Sequence, residues 1–168
     1  MKPYFIVIFL LILFSSCKKE LQQTIENPKF VRTWYDTVQG MPFRAKLSIK
    51  ENNSFEYSSR SCQDGSKSSG IWRIEKDTII LNSIKPKGCL FQHPFGVICV
   101  PFNKPYNGDY KTIKDCEPSG REATYEIFEN EKFIFRNDTL IHTNKVKGNC
   151  PNIRIAFSTK EKVGRSSK

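Results

Sequence analysis

Gly70-Ile71-Trp72-Arg73-Ile74-Glu75-Lys76-Asp77-Thr78-Ile79-Ile80-Leu81-Asn82 decides the fold of this chain. Two β-branched and aromatic runs flank the polar pair Lys76-Asp77. That pattern predicts a hairpin of strands Gly70–Ile74 and Thr78–Asn82. Upstream, Phe43–Lys50 and Ser54–Ser59 alternate apolar and polar residues through Leu47, Ile49, Phe55 and Tyr57, predicting a second hairpin about Glu51-Asn52-Asn53. Phe30–Tyr35 opens a first strand, and Thr124–Phe128, Phe133–Arg136, Thr139–Thr143 and Ile153–Ser158 continue the series. No stretch of the mature chain carries a sustained helical period. The expected fold is all-β: a single antiparallel meander forming an up-and-down barrel or a strongly curved sheet, since closure removes exposed edges.

Residues 84–120 interrupt the meander with five prolines (Pro86, Pro94, Pro101, Pro105, Pro118), three cysteines, His93 and one candidate strand, Phe95–Val100. A loop of this length inside a compact domain is functional or braced by crosslinks, and the cysteines favour bracing. Of six cysteines, Cys17 is read below as a lipid site, leaving Cys62, Cys89, Cys99, Cys116 and Cys150. In an exported compartment these suggest two bridges and one free thiol, with Cys62, Cys89, Cys116 and Cys150 as the bridge candidates. Antiparallel strands bring Cys62 and Cys89 out at the same end of the sheet, which favours a Cys62–Cys89 bridge. Cys89, His93 and Cys99 lack the paired Cys-x2-Cys spacing of zinc sites, and the chain has only 2 histidines, so no metal and no cofactor is expected.

The N-terminus reads as an address. Lys2 is followed by an apolar run from Tyr4 to Phe14, a length that suits a signal-peptide core and is too short to span a bilayer as a helix. Phe14-Ser15-Ser16-Cys17 closes it and resembles the lipobox of bacterial lipoproteins, with Phe14 where leucine is usual. The resemblance implies a signal peptide over residues 1–16 and acyl chains, palmitate among them, on Cys17. Residues 17–29 then form an anchor and polar tether, residues 30–159 the β-barrel-like domain with its 84–120 excursion, and residues 160–168 a basic tail. Several buried acyl chains hold a protein stably, at about 0.8 kcal/mol per CH₂.

The formal charge is +10, one lower once Lys2 leaves with the signal. An exported basic chain of this kind has two readings: solvated lysines, or attraction to anionic envelope material. Nucleic acid is not an expected partner, because export removes it and no stacking motif accompanies the charge. No Gly-x-Ser-x-Gly or comparable nucleophile setting appears, neither His93 nor His142 has a visible base, and Glu129 and Glu131 read as solvated turn residues. The chain is therefore expected not to be an enzyme.

The order of Trp34-Tyr35, a hairpin, Ser69-Gly70-Ile71-Trp72 and Asp77-Thr78-Ile79-Ile80-Leu81-Asn82-Ser83 resembles the lipocalin-like lipoproteins of Bacteroidetes, over about residues 30–83. Lipocalins open with Gly-x-Trp, and Arg32 stands here in the place of that glycine. The resemblance implies a lipid-anchored envelope protein, at the outer membrane on its periplasmic or surface face, that binds a small apolar or amphipathic ligand or another envelope component. Trp34, Tyr35, Phe43, Phe55, Tyr57 and Trp72 are the candidate cavity lining; a filled core is the other reading of the same residues. The alternative function is a protein-binding, inhibitor or structural module without a cavity. Its charge would repel basic partners and attract acidic ones. Expressed in a Gram-negative host, the wild-type chain should partition into detergent, and Cys17→Ala should move it to the aqueous phase; identical partitioning contradicts the anchor.

Overall fold

The computed structural model describes residues 29–37, 44–62, 64–96, 110–121, 123–144 and 153–161. Within them lie eleven strands: β1 Thr33–Asp36, β2 Arg44–Ile49, β3 Ser54–Arg60, β4 Gly65–Glu75, β5 Thr78–Ser83, β6 Phe91–Pro94, β7 Tyr110–Lys111, β8 Thr124–Ile127, β9 Glu131–Arg136, β10 Thr139–Asn144 and β11 Ile153–Ser158. No helix occurs among these residues. Eight of the strands close an antiparallel barrel in the order β3-β2-β1-β11-β10-β9-β5-β4, with β4 returning to β3. The closing seam pairs Tyr35 with Ser158 and Asp36 with Phe157.

Local chemistry explains the ladder. Asn137 and Asp138 both take positive φ, the two-residue turn geometry that matches the twist of flanking strands, and asparagine and aspartate tolerate it well. Alternation then sorts the side chains. Ala45, Leu47 and Ile49 on β2, Phe55, Tyr57 and Ser59 on β3, and Ser66, Ser68, Gly70 and Trp72 on β4 face inward. Arg32 leaves the barrel closed: its guanidinium lies 5.7 Å from the Trp34 ring centre, its carbonyl accepts the Ile49 N–H, and Trp34 Nε1 donates to the Phe30 carbonyl. Phe30, Trp34 and Phe135 meet edge to face and fill that end of the barrel.

The sheet departs from a pure meander where β4 outruns β5. The Gly70–Glu75 half of β4 pairs with β5, whereas Ser66 and Lys67 pair in parallel with Thr124 and Tyr125 of β8. β8 pairs in parallel with β6, and β6 antiparallel with β7. Ser61–Ser69, small and polar in composition like a loop, is strand from Gly65 onward. Serine and glycine there allow a strand because β3 supplies the full ladder from Ser54 to Arg60. The excursion is likewise strand one turn earlier than its apolar run suggests: β6 covers Phe91–Pro94, and Phe95 follows it with Gly96 at positive φ. Residues 97–100, the rest of that candidate strand, lie outside the described residues.

The favoured Cys62–Cys89 bridge is not formed. Cys89 pairs with Cys116, which staples the excursion to itself, and Cys62 is an exposed free thiol. Strand ends do not bring the two cysteines together because β5 stops at Ser83, opposite Gly70 in the middle of β4, well short of the Cys62 end of the sheet. Cys17, Cys99 and Cys150 fall outside the described residues.

Gly70 marks the point where the sheet divides. A Cβ placed there would lie 2.0 Å from the Asn82 carbonyl oxygen and 2.6 Å from Phe55 Cε1. The first of these is backbone and cannot step aside. Gly70→Ala should lower stability by about 2 kcal/mol or more, read from the urea midpoint at constant m-value; an unchanged midpoint contradicts the close approach.

Candidate functional site

The interior of the barrel is graded along its axis. One end holds Phe30 and Trp34 packed on Phe135, and the buried Phe55 and Phe157 lie nearer the middle, against Phe128 and Tyr57. The other end, where β1, β3, β5 and β10 finish, collects the buried polar side chains Asp36, Ser59, Ser66, Ser68 and His142. Short inward side chains on β3 and β4 leave room at this mouth, and residues from the extension fill it. Phe95 stacks on Phe128 with ring centres 4.1 Å apart. It also meets Tyr57 at 5.6 Å, Phe133 at 5.7 Å and His142 at 5.2 Å. Its amide donates to the Ile127 carbonyl, so backbone pairing fixes the ring's position.

Glu126 of β8 lies against the mouth from the extension side. Ser66 Oγ donates to its carboxyl, Ser59 Oγ does so at 3.4 Å, and Ser59 and Ser66 bond each other at 2.6 Å. Burial raises the Glu126 pKa; hydrogen bonds from Ser66, Tyr57 and Ser59 and the charge of His93 offset part of that rise. Tyr57 is pushed well above the ordinary phenol, by burial first and by the Glu126 charge second. Across the mouth, His142 Nε2 donates to Glu131 Oε2 at 2.6 Å, while His142 Nδ1 is buried with no hydrogen-bond partner among the described residues. Asp36 Oδ2 accepts the Ala45 N–H.

This polar set does not assemble a hydroxyl–imidazole–carboxylate relay around His142. Among the described residues its second ring nitrogen has no hydrogen-bond partner, and Ser66 bonds a carboxyl directly with no imidazole between them. No three His, Cys, Asp or Glu side chains among the described residues are grouped to hold a metal ion. The His142–Glu131 pair was invisible to motif reading, which took Glu131 for a solvated turn residue. It is strand instead, and the hairpin register Ile134 opposite Ile141 sets Glu131 and His142 diagonally on one inward face. That register was the available signal.

The candidate cavity residues divide. Trp34, Phe55, Tyr57 and Trp72 are buried and belong to the packed core. Tyr35 is on the outer face, half-buried, with the Lys46 ammonium 5.4 Å from its ring centre, because it alternates with the inward Trp34 and Asp36. Its place in a cavity lining is withdrawn. Phe43 lies outside the described residues.

A groove of about 710 Å³ lies on the outside of the barrel, between β2–β4 and the chain from Ile84 to Leu90. Four lysines line it, Lys46, Lys67, Lys85 and Lys87, against one carboxylate, Glu56. Glu56 is engaged by Lys50, and Lys46 reaches Glu161 at 3.5 Å. A second cleft of about 590 Å³ holds Cys62 beside Arg60 and Arg121.

Against known protein families, curated proteins and solved structures, the chain finds no match.

The buried carboxyl gives the fold a pH signature. Glu126 binds its proton more tightly folded than unfolded, so its contribution is complete below the ordinary glutamate pKa and is lost as pH rises through the raised native value. Glu126→Gln keeps the shape and removes the titration. The stability of the variant relative to wild type should therefore increase as pH rises above 4.5, the ordinary value. A difference that stays constant with pH contradicts the burial of this group.

Proposed function

We propose that the protein is a non-catalytic envelope protein, held to the membrane by lipid on Cys17, that engages another envelope component through the outside of its barrel. One observation carries the choice between outside and inside: the Phe95 ring occupies the mouth, stacked on Phe128, where an interior ligand would enter. A barrel of eight strands is either filled by its own side chains or holds one small ligand, and here Phe95 with Phe128 takes the space that serines leave. Of the lining expected for an interior ligand, Trp34, Phe55, Tyr57 and Trp72 are part of one packed core cluster. The lipobox-like Phe14-Ser15-Ser16-Cys17 supports the anchor, and the positive charge supports an acidic component as partner.

The test uses the mature chain without lipid. A neutral probe such as Nile red should show no saturable uptake by wild type, whereas Phe95→Ala should gain it, and wild type should still sediment with envelope membranes in low salt. Saturable uptake by wild type that a fatty acid displaces returns the interior-ligand reading to first place. Failure to sediment removes the envelope component.

A further inference from the structure

The outer groove has a definite construction. Register places Lys46 opposite Ser58, and Ser58 opposite Lys67, on three adjacent strands. The two lysines therefore flank a serine hydroxyl across roughly 10 Å of sheet, twice the interstrand spacing. Ser48, Glu56 and Ser69 form the next row on the same face. Lys85 and Lys87 come from the facing wall, so cations stand on both sides of the space.

That wall is held in place at several points. The Ile84 N–H donates to the Ser69 carbonyl, and Tyr125 Oη donates to the carbonyls of Ser69 at 2.8 Å and Ile84 at 2.6 Å. Thr112 exchanges bonds with Leu90 and Gly88, and the Cys89–Cys116 bridge closes the base. Lys67, Lys85 and Lys87 are exposed and make no ion pair among the described residues, while the one lining carboxylate is taken up by Lys50. Like charges gathered on a braced wall repel one another unless an anion joins them.

The donor set narrows the anion. Lysine ammonium groups with serine hydroxyls give radial, point-charge donors that suit a tetrahedral phosphate, whereas a planar carboxylate is best met by the two-pronged guanidinium, and no arginine lines this groove among the described residues. Ile84, Pro86 and Leu90 add apolar surface beside the cations, which suits the body of a sugar ring. We infer that the groove between β2–β4 and residues 84–90 is a binding site for phosphate groups carried on a saccharide, free or lipid-borne. The inference rests on the surface-binding reading above and gives it a place and a chemistry.

The experiment titrates the unlipidated mature chain with glucose bisphosphate, with phosphatidylcholine vesicles doped with phosphatidic acid, and with polygalacturonate as the carboxylate control. Glucose bisphosphate should bind saturably and more weakly as salt rises. Lys67→Ala, Lys85→Ala and Lys87→Ala combined should weaken it by about tenfold or more, while Lys76→Ala, Lys132→Ala and Arg136→Ala, which remove the same charge elsewhere, should change it by about twofold or less. Binding of the vesicles alone, with the same lysine dependence, overturns the saccharide carrier and leaves a site for a lipid phosphate. Equal losses in the two triple variants, equal binding of polygalacturonate, or no binding of either phosphate probe overturns the inference. If those results come with envelope sedimentation intact, the surface-binding reading survives and only the phosphate site falls.

Discussion

The packing of Phe95 on Phe128 is the contact on which the other features of this molecule depend. At the mouth, β3 and β4 turn serines inward where the other end of the barrel has tryptophan and phenylalanine. A void at that position would leave Tyr57, Phe133 and His142 without neighbours on one side, and interiors are close-packed. The two rings come from outside the eight barrel strands, one after β6 and the other after β8. Burying a phenyl ring contributes about 2 kcal/mol. The excursion is consequently part of the core, although most of it runs along the surface.

Several properties follow from that contact and from the division of the sheet at Gly70. Because β4 continues past the end of β5, its outer half accepts β8, and β8 accepts β6, which aims Phe95 at the mouth. The same junction brings Glu126 against Ser59 and Ser66, burying a carboxyl among hydroxyls. On the opposite face it sets residues 84–90 over the outer side of β2–β4, and so creates the lysine-lined groove. One splitting of one sheet thus fills the interior, buries a titrating group and builds the external site.

The barrel was largely legible from alternation and turn residues. Ile153–Ser158 matches β11 throughout, and the hairpins about Lys76-Asp77 and Asn137-Asp138 stand where their turn chemistry puts them. Besides Glu131, three further features differ from local pattern for identifiable reasons. Gly65–Ser69 has the composition of a loop, and only the ladder from β3 makes it strand. The bridge partner of Cys89 depended on the path of the excursion, which local pattern does not set. Tyr35 was grouped with Trp34 by its chemistry, when the period of two required it to face outward. The groove was not legible as a whole: the β2–β3–β4 register aligns Lys46 with Lys67, but Lys85 and Lys87 come to face them only through the bonds that hold the wall.

The seating of Phe95 is tested most directly by native-state hydrogen exchange at the amides of Phe95 and Phe128. Both amides are hydrogen-bonded, the first to Ile127 and the second to Ser83 Oγ. If the excursion completes the core, these two amides exchange only through global unfolding, as slowly as those of Tyr57 and Ser68 in the barrel wall. Exchange of the Phe95 amide about a hundredfold faster than that of the wall, through a local opening, would show that the barrel is complete without it and would contradict the account.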